Sequence, residues 1–102
     1  MTADYYVADT ENGDHIDDPS EDALFILISD LNTVDNTFVV IQPDTDDPVW
    51  FATVGLLSPG QYEIVRRDKH RREHELQISD SISDIAKDLT IWLASRFRPN
   101  QP

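Results

Sequence analysis

The sequence predicts an α+β domain: a four-stranded antiparallel β-meander with an N-terminal and a C-terminal helix packed on one face, in the order α-β-β-β-β-α. Three observations lead there. Two stretches with apolar residues at helical spacing lie towards the two ends of the chain, and four short runs rich in β-branched and aromatic residues lie between them. Turn residues separate the runs. At 102 residues there is room for one core and no room for separate cofactor and substrate domains.

The first 18 residues read as an acidic arm carrying at most a short strand at 5–7, where Tyr5, Tyr6 and Val7 favour extended backbone. From Asp9 to Asp18 only Ile16 is large and apolar, which reads as a loop. The compact domain is expected over 19–98 and a frayed tail over 99–102. Asp18 as N-cap, Pro19 at the first helical position and Glu21 at the third predict a helix over 19–31, with Leu24, Leu27, Ile28 and Leu31 on its apolar face. Phe25 and Ile26 widen that stripe, so most of its surface is expected beneath the sheet.

The run 37–42 is β-branched and aromatic and stops at Pro43, as a central strand would. After the turn Asp44-Thr45-Asp46-Asp47, a second strand over 49–56 places Trp50, Ala52, Val54 and Leu56 on one face. Ser58-Pro59-Gly60 reverses the chain. A hairpin of 61–67 with 73–78 is expected to set Tyr62 opposite Ile78, Ile64 opposite Leu76 and Arg66 opposite His74. The closing helix starts at Ser81, which can cap it, and Ile82, Ile85, Leu89, Trp92, Leu93 and Phe97 trace its buried face.

Charge narrows the function. Eight Lys and Arg against twenty Asp and Glu give a net charge of −12, which repels phosphate backbones and anionic membranes. No direct nucleic-acid or membrane binding is expected. The charge is uneven: residues 1–47 hold thirteen acidic residues and no Lys or Arg, while 48–102 hold seven acidic and eight basic ones. A basic protein is the natural complement of such a chain. The absence of cysteine and of a basic, then apolar, leader at Met1-Thr2-Ala3-Asp4-Tyr5 fits a cytoplasmic location.

Catalytic constellations are weak. His70-Arg71-Arg72-Glu73-His74 matches an inverted zinc-protease string, but that motif needs its ligands on one helix face and here it crosses from a turn into a strand. Adjacent carboxylates such as Asp17/Asp18 and Asp46/Asp47 are common in so acidic a chain and make no acid/base pair by themselves. Neither Asp9–Asp14 nor Asp44–Asp47 continues into a calcium-binding loop. No serine lies in a nucleophile elbow, and three glycines cannot form a phosphate-cradling loop. No enzymatic activity, metal or cofactor is expected. The basic cluster Arg66-Arg67-Asp68-Lys69-His70-Arg71-Arg72 reads as a solvated hairpin tip.

Thr37-Phe38-Val39-Val40-Ile41, Trp50-Phe51-Ala52-Thr53-Val54, Tyr62-Glu63-Ile64-Val65-Arg66-Arg67-Asp68 and the helix through Trp92-Leu93 together give the chain a layout over about 19–98 that resembles small acidic bacterial immunity proteins of polymorphic, contact-dependent toxin systems. The resemblance implies a protein that binds and neutralises a cognate toxin domain, often a basic nuclease, deaminase or NAD-consuming enzyme. Under it, Asp14, Asp17 and Asp18 on the arm and Asp44, Asp46 and Asp47 in the turn would meet the partner's Lys and Arg. Tyr5 and Tyr6, and as a further candidate Phe51, are the aromatic anchors expected. Two other readings stay open: a secretion chaperone that holds an extended segment of its effector, and an acidic DNA mimic of the anti-restriction or anti-CRISPR kind. Monomer and homodimer are both compatible with the sequence.

Overall fold

A computed structural model describes residues 6–96. The elements in chain order are β1 (Tyr6–Thr10), β2 (His15–Asp17), α1 (Glu21–Ser29), β3 (Phe38–Pro43), β4 (Trp50–Ser58), β5 (Gln61–Asp68), β6 (Glu73–Ser79) and α2 (Ile82–Ala94). All six strands form one antiparallel sheet in the order β2-β1-β3-β4-β5-β6. The class is α+β as expected, but the sheet has six strands rather than four, and α1 follows two strands instead of preceding them all.

The difference lies in the segment read as an acidic arm. Asn12 and Gly13, with Gly13 at φ +100°, turn the chain back so that Ala8 pairs with Ile16 and Asp9 with His15. Thr10 N–H donates to the Asp14 carbonyl at 2.9 Å, and Gly13 N–H to the Thr10 carbonyl at 3.1 Å. β1 then inserts against β3, with Tyr6 opposite Pro43 and Thr10 opposite Val39. Ala8 is fully buried and Val7 nearly so, which explains how a strand with so few apolar residues is held. The expected strand at 5–7 thus lies at 6–10; Tyr5 and the tail 99–102 fall outside the described residues.

α1 starts later than Asp18. That residue takes φ +49°, which is not the extended conformation of an N-cap, and Ser20 supplies the cap instead by accepting from Ala23 N–H at 3.1 Å. Leu24, Leu27, Ile28 and the following Leu31 are buried, whereas Phe25 and Ile26 are exposed, so the apolar stripe is narrower than the sequence implied. Ser81 caps α2 as expected, accepting from Asp84 N–H at 3.3 Å.

The core lies between one sheet face and the two helices. Val39, Ile41, Trp50, Ala52, Val54, Tyr62 and Ile64 from the sheet meet Leu24, Leu27, Ile28, Ile85, Leu89, Trp92 and Leu93. Trp50 and Trp92 stack edge to face at 5.6 Å. Both tryptophans are therefore core residues.

The β5–β6 hairpin is slipped by one residue from the expected pairing. Asp68 faces Glu73, Arg67 faces His74, Val65 faces Leu76 and Glu63 faces Ile78. Asp68 is the cause: its carboxylate accepts from Arg71 N–H at 3.1 Å and lies 3.3 Å from Arg96, which keeps it in the strand and leaves a four-residue turn over 69–72. Arg72 completes the turn at φ +56°. Because side chains alternate, the slip sends Glu73, Glu75 and Gln77 to the helix side and His74, Leu76 and Ile78 to the open face. Glu73 and His74 of the zinc-protease string thus project to opposite sides.

Candidate partner-binding surface

The register of β1 with its neighbours decides which acidic residues stand together. Tyr6 lies opposite Pro43, and Asp18 N–H donates to the Tyr6 carbonyl at 2.8 Å. The end of β2 and the β3–β4 turn are thereby brought to the same end of the sheet, so Asp17 and Asp18 neighbour the turn that carries Asp44, Asp46 and Asp47. All five side chains belong to exposed residues. Thr45 N–H donates to the Pro43 carbonyl at 2.9 Å and tightens the turn. Among the described residues, no ion pair with Lys or Arg involves any of the five.

Asp14 is not part of this group. It sits in the β1–β2 turn at the other end of β1, roughly 15 Å away at the rise of an extended strand. Its N–H is held by the Thr10 hydroxyl at 2.9 Å. Beside it, Glu11 accepts from both Thr37 N–H and the Thr37 hydroxyl, at 2.8 and 2.6 Å, tying the turn to the start of β3. These bonds to the charged form hold the Glu11 carboxyl below its ordinary value.

Tyr6 is turned towards the core rim. Its ring meets Trp50 edge to face at 6.2 Å and its hydroxyl donates to the Pro19 carbonyl at 3.4 Å. Burial, followed by the nearby Asp18 carboxylate, pushes the phenol above its ordinary value. Tyr6 thus holds the acidic end against the core. On the open face at this end of the sheet, Phe51 is half-buried one residue into β4, opposite Arg67 on β5.

Reading the sequence as a loop missed His15. On β2 its Nδ1 lies 2.5 Å from Asp9 and its Nε2 2.8 Å from Asp17. With a carboxylate accepting at each ring nitrogen, the hydrogen bonds to Asp9 and then to Asp17 raise its proton affinity above the usual histidine range. The signal was present in the sequence as alternation, His15 and Asp17 sharing a face, with Asn12-Gly13 as the hairpin turn that returns the chain to Asp9.

The basic tip stands at the same end as the acidic turn, since Lys69 N–H donates to the Val49 carbonyl at 2.8 Å. Its cations do not pair with the acidic end among the described residues. Arg71 instead donates to the Ser95 carbonyl at 3.0 Å, capping α2. Arg66 pairs with Glu75 at 2.9 Å on the helix side. No group of three or more His, Asp or Glu is arranged to hold a metal ion, and no helix is long and apolar enough to cross a membrane, among the described residues.

Searches of protein-family models, curated proteins and solved structures each returned no match to this chain.

Proposed function

We propose that this chain is a non-catalytic inhibitor, an immunity protein that binds and neutralises a cognate basic toxin domain. The observation that carries the reading is the gathering of Asp17, Asp18, Asp44, Asp46 and Asp47 at one end of the sheet with no Lys or Arg partner of their own among the described residues. Asp18, Asp44, Asp46 and Asp47, left without cations, keep their full attraction for a partner's, while Asp17 shares its charge with His15, and together they steer a cationic domain towards that end. Phe51, half-buried near the start of β4 and paired with Arg67, offers apolar area at the same end of the sheet, as a specific interface needs beside its polar contacts. Asp14 lies too far along β1 to join the same contact, and serves at most a second one.

The test is affinity capture from the native cell lysate at low and moderate salt, comparing the parent chain with the variant carrying Asp44→Asn, Asp46→Asn and Asp47→Asn. A single stoichiometric basic protein, held by the parent and released from the variant, whose toxic activity is abolished on adding the parent, supports the proposal. Equal capture by both proteins removes the acidic turn from the interface. A captured effector with no toxic activity, held through an unfolded segment, would replace inhibition with chaperoning.

A further inference from the structure

We infer that β6 is a self-pairing edge: two copies join antiparallel along Glu73–Ser79, about a two-fold axis through Gln77, to make one continuous sheet. The two edges of the sheet are built differently. β2 is three residues long, and its His15 is bracketed by Asp9 and Asp17, the short and charged form that blocks strand addition. β6 is seven residues long, pairs with β5 without a register shift, and contains no Lys, Pro or Gly. Leu76 and Ile78 on it are 60% and 53% exposed. A long regular edge with bare apolar side chains is a template for another strand.

Charge selects a second copy as that strand. The sheet order places β2, β1 and β3, from a segment 6–47 with twelve acidic residues and no Lys or Arg, on one side, and β4, β5 and β6, from 48–96 with seven acidic and seven basic residues, on the other. Two copies meeting at β6 keep their acidic ends at the far sides of the joint sheet, so the net charge of each does not oppose the contact. A strongly basic partner is drawn to the opposite edge.

Side-chain pairing favours the register centred on Gln77, which opposes two apolar pairs where an axis on Leu76 opposes one. If the helices of both copies lie on one side, Leu76 of each copy faces Ile78 of the other, Glu75 faces Ser79, His74 faces Asp80 and Gln77 faces itself. Apolar side chains then meet apolar ones, and no like charges are opposed. Centring the axis on Glu75 would set two carboxylates against each other.

Sedimentation equilibrium of the parent chain, with site-specific crosslinking, tests this. Because the chain has no cysteine, each single substitution reports one position. The expected results are twice the chain mass at high micromolar concentration, rapid disulfide formation by Gln77→Cys, whose Cα atoms would sit about 5 Å apart, and no crosslink at Thr53→Cys in the middle of the open face. Leu76→Lys, at an exposed position that leaves the core untouched, should weaken association at least about tenfold. A parent chain that stays monomeric throughout overturns the inference. So does crosslinking at Thr53→Cys without Gln77→Cys, which would mean stacking of open faces. Neither readout involves a basic partner, so the inference and the proposed function fail separately.

Discussion

Arg96 and Asp68 form an ion pair at 3.3 Å in which both side chains are only 4% exposed. The contact has the distance of an ion pair without the angle of a hydrogen bond at Nε, and the guanidinium is completed by its bond to Glu73 and by stacking 4.0 Å over the Trp92 ring. Trp92 in turn donates its indole N–H to Glu73 at 3.3 Å. The end of α2 is thereby locked to the β5–β6 hairpin. Arg96→Ala should lower stability by about 3 kcal/mol, since it leaves a buried carboxylate without its cation and uncovers Trp92. Urea unfolding followed by tryptophan fluorescence measures it, and a loss below about 1 kcal/mol would show that the pair contributes no more than an exposed one.

His15 should titrate above an ordinary histidine, because its hydrogen bonds to Asp9 and Asp17 favour its charged form. The sign follows from the raised value in the folded state: the stabilisation is complete below the unfolded histidine range and fades as pH rises through the folded value. Asp9→Asn and Asp17→Asn should each bring the His15 midpoint down, with the Asp9 change the larger. Proton NMR titration of the imidazole ring reads both. A midpoint insensitive to either substitution would mean that the ring does not keep its two carboxylates in solution.

Periodicity made most of the sheet and both helices legible. Alternation puts Trp50, Ala52, Val54 and Leu56 on one strand face, where they stand, and the position of Ser81 before Asp84 predicts the cap that it makes. What failed was long-range pairing. Alternation about Asn12-Gly13 suits a hairpin in Asp9–Asp18, but nothing local says that so polar a segment will be held in the sheet, because β1 is fixed by β3, some thirty residues later, and by the burial of Ala8. The hairpin slip had a similar origin, since Asp68 stays in the strand by virtue of Arg96 on α2, a partner that no strand pattern reveals. The acidic residues of the candidate site were visible as a composition, but their division into a group of five and a distant Asp14 required the β1 register.

The two faces of α1 should answer very differently to truncation. Ile28 is fully buried against the sheet, while Ile26 is 57% exposed. Ile28→Ala should cost about 3 kcal/mol through lost burial and the cavity left behind, whereas Ile26→Ala should change stability by under about 0.5 kcal/mol. Chemical denaturation of the pair decides it. Comparable losses from both would show that the outer face of α1 is covered in solution, by another molecule or another part of the chain.

Neutralising Asp44, Asp46 and Asp47 together should leave the fold as stable as before or slightly more so. The three carboxylates occupy four consecutive positions of an exposed turn, and none has a hydrogen bond or ion pair from its side chain among the described residues. Removing them gives up no contact and relieves mutual repulsion, so the expected shift is within about 0.5 kcal/mol with an unchanged denaturant slope. Binding should behave otherwise: association with a basic partner slows and loses much of its salt dependence, with dissociation less affected. Stopped-flow association across a salt series, run beside the unfolding curve, separates the two. A turn kept for binding loses steering and keeps its stability, whereas a drop in the unfolding midpoint with unchanged association kinetics would make these carboxylates structural and take them out of the interface.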